Sequence, residues 1–336
     1  MVSLALALWL GAAPLAPRLP GVYRRAVAAA DGVHLATYIY VPERRRPHAP
    51  TVVLLPDLGA THLFFDQDGA GLARSLMARG YRVATLDWRG TGLSESPPVP
   101  ASIEDLATRD VPAVLDILED GSEPMVLVGW GFGGSIAYAV AASPNRRGRV
   151  SGVVALDGVV ELDVPNAHFA HLLEAAGEPV DLSLALGQRA PHGTDDLFGL
   201  LWLHGGTWTR STHLMLLAHG LGVISPRQVD DLRAWMASGK TTIGGSFPEE
   251  VGQVRCPVLA IQGLLDNWTH PEFASAVSDH LPGSQVTLYT ADRLTGFSAD
   301  LGHVGLVLGS TAEREVFPLI FAFLARLSAP AGEVTP

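Results

Sequence analysis

The chain carries one cysteine, Cys256, in 336 residues. One thiol cannot close an intrachain disulfide, and it leaves no ligands for a multi-cysteine zinc site. Positive charge is scarce as well. Lys and Arg number 23 against 34 Asp and Glu, the net charge is −11, and no basic run exceeds Arg44-Arg45-Arg46. An acidic surface repels phosphate backbones, so nucleic acid is not an expected partner. Long apolar runs are missing too. The N-terminal "MVSLALALWLGAAPLAPRLPG" is too short to cross a bilayer, and no other segment reads as a span. Its small residues near Ala12-Ala13 resemble a cleavage region, yet no Lys or Arg precedes Arg18. Residues 1–20 therefore read as an apolar tail docked on the domain, or as a weak export or surface-anchoring signal. A cytoplasmic location is the expectation, with export through that segment left open, and no firm sign of membrane association is present.

What the chain has is apolar mass: 48% hydrophobic and 17% charged residues are enough to build a large core. Short β-rich runs alternate with helical patterns. "GVYRRAVAAADGVHLATYIYVPE" reads as two strands around an Asp31-Gly32 hairpin turn. Strands are expected at 51–57, 82–88, 124–129, 148–158, 256–263 and 284–290. Helices are expected over 64–80, from Ser102 onward, over 132–142, near 271–281 and over 312–327, with Ser102 and Asp105 as a capping pair. The alternation predicts a mostly parallel, doubly wound sheet. It lapses between about 160 and 250, a stretch that holds Trp202, Trp208, Trp235 and "HLMLLAHGLG". The expected organisation is a core of 21–159 and 251–328 interrupted by a helical lid over 160–250.

The stretch "LVGWGFGGSIAYAVA" (127–141) runs from a strand through glycines into a helix. That arrangement is a nucleophile elbow, G-x-S-x-G, but here the frame reads Gly129-Trp130-Gly131-Phe132-Gly133. Further motifs accompany it in order: "LLPDLGATHLFFDQDGAGLARSLMARGYRVATLDWRGTGLSESP", "RQVDDLRAWMASGK", "VRCPVLAIQGLLDNWTHPE" and "GFSADLGHVGLVLG". From residue 21 to 328 the chain resembles the α/β-hydrolase family, most closely its bacterial lipase-like and polyhydroxyalkanoate-synthase-like branch.

The resemblance implies an esterase- or lipase-like ancestry, no cofactor, and a small apolar or ester-type ligand. Residue by residue, it places the triad acid at Asp266, the base at His303 and the nucleophile at Gly131. The oxyanion donors fall on the N–H groups of Leu58 and Phe132, with Asp57 and Trp130 as pocket candidates. Two departures from the family pattern stand out. Glycine has no atom with which to form an acyl-enzyme. Pro56-Asp57 stands where the family has His-Gly. Its carboxylate either points into the oxyanion site, where a like charge opposes the reaction, or turns aside in an Asx-type turn. Ser135 lies a helical turn too late to substitute, and Cys256 precedes its strand, at the far edge of the sheet. His168 and His171 lack a carboxylate partner in a zinc frame, so no metal is expected. An Asp266–His303 pair could still act as a general base without a serine. The chain is thus expected to have lost acyl-enzyme chemistry. The alternatives are a serine-free enzyme using that pair, or an ordinary serine hydrolase whose serine is altered at position 131.

Overall fold

The computed structural model describes residues 19–67, 69–119, 123–162, 178–182, 215–239, 249–266 and 272–328, with residues 243 and 247. The apolar N-terminal segment, His168, His171, Trp202 and Trp208 lie outside the described residues.

A hairpin opens the fold: β1 (Gly21–Ala28) and β2 (His34–Val41) pair antiparallel across the Asp31-Gly32 turn. Next come β3 (Thr51–Leu55), β4 (Val83–Leu86), β5 (Met125–Trp130) and β6 (Val150–Leu156). These are short, continuous apolar runs, buried along almost their whole length, as strands covered on both faces must be. A separate two-stranded pair, β7 (Val180–Asp181) and β8 (Val223–Ile224), lies in the stretch expected as a lid. β9 (Val258–Gly263) and β10 (Val286–Ala291) complete the main sheet. Its order is β1-β2-β4-β3-β5-β6-β9-β10. Every pair from β4 to β10 is parallel, and the hairpin is an antiparallel edge.

The connections are helical: α1 (Leu72–Ala78), α2 (Val111–Leu118), α3 (Phe132–Ala142), α4 (Pro226–Ser238), α5 (Glu272–His280) and α6 (Phe317–Leu327). In α2 the buried residues are Val111, Val114, Leu115 and Leu118, a single apolar stripe at helical spacing. Ser102 and Asp105 form a reciprocal capping box ahead of it. The helix expected over 64–80 is shorter than its sequence pattern suggests. Gly69 and Gly71 take φ +99 and +98, which no helix accommodates, so α1 starts at Leu72.

The chain passes from β3 to β4 on one side, then returns to place β5 on the other side of β3. Such a reversal opens a crevice at the carboxyl ends of the two strands. In register, Leu55 faces Gly129, so the loop after β3 and the turn after β5 emerge side by side. The Trp88 indole N–H donates to the Pro56 carbonyl at 3.0 Å and fixes that loop from below. The D-x-R-G-x-G turn is pinned by its own charges. Asp87 Oδ1 accepts the His62 N–H at 2.9 Å, and Oδ2 accepts the Tyr38 hydroxyl at 3.0 Å and the Leu93 N–H at 3.1 Å. Arg89 reaches Asp110 at 2.8 Å and Asp31 at 2.7 Å, tying the first hairpin to the segment that leads into α2.

Candidate active site

Between Trp130, the last residue of β5, and Phe132, the first of α3, one residue makes the whole turn. Gly131 does so at φ +56, ψ −128, where an L side chain is strained by roughly 1–3 kcal/mol and glycine is not. Its N–H donates to Leu156 O at 2.8 Å, and its carbonyl accepts the Gly134 N–H at 2.9 Å. Close approach, too, needs glycine here: a Cβ on Gly133 would stand 2.2 Å from Leu55 O. This packing brings the N-terminus of α3, with the Phe132 N–H, against the end of β3.

Asp57 fills the space this opens. Its Oδ1 accepts the N–H groups of both Leu58, at 2.8 Å, and Phe132, at 2.7 Å. These are the two donors expected to form the oxyanion hole. A Cβ built on Gly131 would lie 2.3 Å from Asp57 Cγ. The Asp57 carboxylate thus occupies the volume an elbow side chain would take, reached from the neighbouring strand. Of the two orientations open to Asp57, the inward one is observed.

The other oxygen, Asp57 Oδ2, accepts from His303 Nε2 at 2.9 Å. His303 opens a short 3-10 turn, His303–Leu306, and is buried. Trp130 lies beneath it, wholly buried, its indole N–H donating to His303 O at 2.9 Å and its ring 4.8 Å from the imidazole. On the opposite ring nitrogen, Nδ1 donates to Asp266 Oδ2 at 3.0 Å, and Asp157 Oδ2 lies 3.3 Å away. Asp266 follows β9, its N–H bonded to Gly263 O at 3.2 Å. Asp157 belongs to none of the sequence motifs, although it is an aspartate at the carboxyl end of a buried strand, in "VVALDG". It holds φ +54, and its Oδ1 accepts the Gly263 N–H at 2.7 Å, cross-linking the ends of β6 and β9. Ser135 faces the other way: its hydroxyl, wholly buried, donates to Val159 O at 2.6 Å. Cys256 stands before β9, at the opposite end of that strand from Asp266, and burial pushes its thiol up to about 11.

The charges around His303 settle its state. Burial disfavours an imidazolium, but the Asp266 charge and hydrogen bonds to Asp157, Asp266 and Asp57 outweigh it and raise His303 well above the usual range. Asp157 is also raised well above the carboxylate range, first by burial and then by the Asp266 charge. The two shifts favour an imidazolium at His303, between the Asp57 and Asp266 side chains, and favour the protonated form of Asp157. Asp157, Asp266 and His303 bring ligand-type atoms within 4.8 Å of one another, donors a cation could use.

Residues 50–197 match the family described as alpha/beta hydrolase fold. An esterase from Exiguobacterium antarcticum aligns with a TM-score of 0.65 and 16% identity, over 90% of this chain and 100% of that one. A soluble variant of the monoglyceride lipase from Saccharomyces cerevisiae, in complex with a substrate analog, aligns at 0.64 and 15%, over 95% and 98%. Among curated proteins, the spectinabilin polyketide synthase system protein NorC of Streptomyces orinoci is 38% identical over 114 residues. That match covers 34% of this chain and spans 5% of the relative's length. The chain has the α/β-hydrolase fold of esterases and lipases, and among the described residues its active-site cluster contains no clear serine nucleophile.

Proposed function

We propose that the protein has left serine-hydrolase chemistry: it takes a small apolar or ester-type molecule at the ancestral site and forms no acyl-enzyme at position 131. The observation that carries this reading is the double hydrogen bond from the Leu58 and Phe132 N–H groups to Asp57 Oδ1. A developing oxyanion would need those donors, and a fixed carboxylate beside it opposes its charge. An altered serine in an otherwise ordinary hydrolase is disfavoured by the same contact, because a side chain at 131 would strike Asp57. The reading in which His303 and Asp266 act as a free base on water is weakened, since an imidazolium at neutral pH has no lone pair to offer.

The test uses medium-chain nitrophenyl esters and a fluorophosphonate probe. The wild type is expected to remain unlabelled and to turn over esters no faster than His303→Gln. Ester turnover that His303→Gln abolishes, or probe labelling of the wild type, would overturn the reading.

A further inference from the structure

We propose that Asp57 is itself a nucleophile, transplanted from the elbow to the neighbouring strand, and that the site opens epoxides through a covalent ester on its carboxylate. The inference rests on the reading above that residue 131 supplies no nucleophile, and it names what took over.

Three contacts argue for attack rather than a passive plug. Asp57 Oδ1 is held by two N–H donors, at 2.8 and 2.7 Å, so the carboxylate is oriented and its second oxygen is fixed in place. Oδ2 meets His303 Nε2 at 2.9 Å, leaving that oxygen a further lone pair. Gly131 packs against the carboxylate with no side chain, and a Cβ there would lie 2.3 Å from Cγ, so the carboxylate holds the place of an elbow side chain. A carboxylate so placed is a competent nucleophile for covalent catalysis. Its natural target is a saturated carbon, because attack there needs no oxyanion hole in the first step.

The balance closes with water as the one co-reactant. Asp57 Oδ2 attacks an epoxide carbon. A C–O ester bond forms, the ring C–O bond breaks, and its electron pair leaves on the ring oxygen, which takes the Nε2 proton of the His303 imidazolium. The neutral imidazole then removes a proton from water as the hydroxide adds to Asp57 Cγ. Negative charge develops on Oδ1, already seated between the Leu58 and Phe132 N–H groups, so the two donors serve this second step. Collapse expels the diol oxygen, protonated by His303, and the new carboxyl returns its proton to His303. An epoxide and a water give a diol, the enzyme's charges are restored, and one oxygen of Asp57 now comes from water. The raised His303 fits this order, acid first and base second. Asp266 and Asp157 stabilise the imidazolium from the Nδ1 side.

The experiment is a single turnover of excess wild-type protein with styrene oxide, and separately with a terminal epoxyoctane, in oxygen-18 water. The diol is expected to be unlabelled, and the peptide containing Asp57 to gain one oxygen-18. His303→Gln removes the acid of the first step and the base of the second, so ring opening should slow and the adduct that forms should persist, leaving that peptide heavier by the mass of the epoxide. Asp57→Asn, checked for folding by circular dichroism, should form no adduct and lose epoxide turnover by about 10³-fold or more. Label in the diol with none in Asp57, or neither adduct nor diol from both epoxides, would overturn the proposal. The fluorophosphonate and ester assays judge the loss of serine chemistry separately, so the two readings fail by different signals.

Discussion

Gly131 and Asp57 are one unit divided between two strands. Each fits only beside the other: a side chain at 131 would collide with the carboxylate, and the carboxylate accepts the N–H groups of Leu58 and Phe132. Gly131→Ser is therefore expected to destabilise by about 2–4 kcal/mol, adding steric overlap to a strained φ. Asp57→Gly in the same chain should return a large part of that loss. A double-mutant cycle by urea unfolding reads the coupling, and additivity of the two changes would show that they do not share the space. At the same scale, Asp57→Asn removes one of the carboxylates that hold the His303 proton. The imidazole NMR titration of this variant should move to lower pH than in the wild type.

At the scale of elements, the site is set by how closely α3 meets the ends of β3 and β5. A Cβ on Gly129 would lie 2.1 Å from Gly133 O, and one on Gly133 would lie 2.2 Å from Leu55 O. Gly133→Ala must lift the N-terminus of α3, and with it the Phe132 N–H. The expected result is a loss of about 1–3 kcal/mol in urea unfolding. Where the variant folds, His303 should also titrate differently, because Asp57 loses one donor. The short helix α1 carries a related lesson. Its apolar spacing extends back to Phe64, but two left-handed glycines override that spacing.

For the whole molecule, buried charge is the main pH-sensitive load. Folding raises the affinity of His303 and Asp157 for protons, and burial brings Asp110 up to about 6 despite Arg89. All three shifts have one sign. The folded state binds more protons than the unfolded one, so the stability they contribute falls as pH rises. For His303 that contribution is complete below the unfolded value of 6.5 and is lost as pH climbs through its raised folded value. Urea unfolding should thus show stability declining on the alkaline side, less steeply in Asp57→Asn. Arg89 is the second load, buried between Asp110 and Asp31, where its hydrogen bond holds Asp31 down at about 2. Asp110→Ala strands part of that guanidinium charge in the core. It should cost about 3–5 kcal/mol by the same measurement, with the sheet order unchanged.

Much of the fold was legible in the chain itself. Apolar runs bounded by glycine and proline mark the strands, and α3 spans the residues its pattern indicates, because local spacing and burial agree there. The absence of a nucleophile at 131 is likewise a property of the sequence, since no conformation gives glycine a side chain. The direction of Asp57 was not legible. An Asx turn and an inward carboxylate are locally equivalent, and the choice depends on a donor from residue 132 and a histidine from residue 303, which only the packed sheet brings within 3 Å. Asp157 was hidden for the same reason. Its role comes from the neighbouring ends of β6 and β9 and not from any spacing along the chain. The sequence alone determined what chemistry position 131 cannot do. The tertiary structure decided which group stands in its place, because that group arrives from another strand.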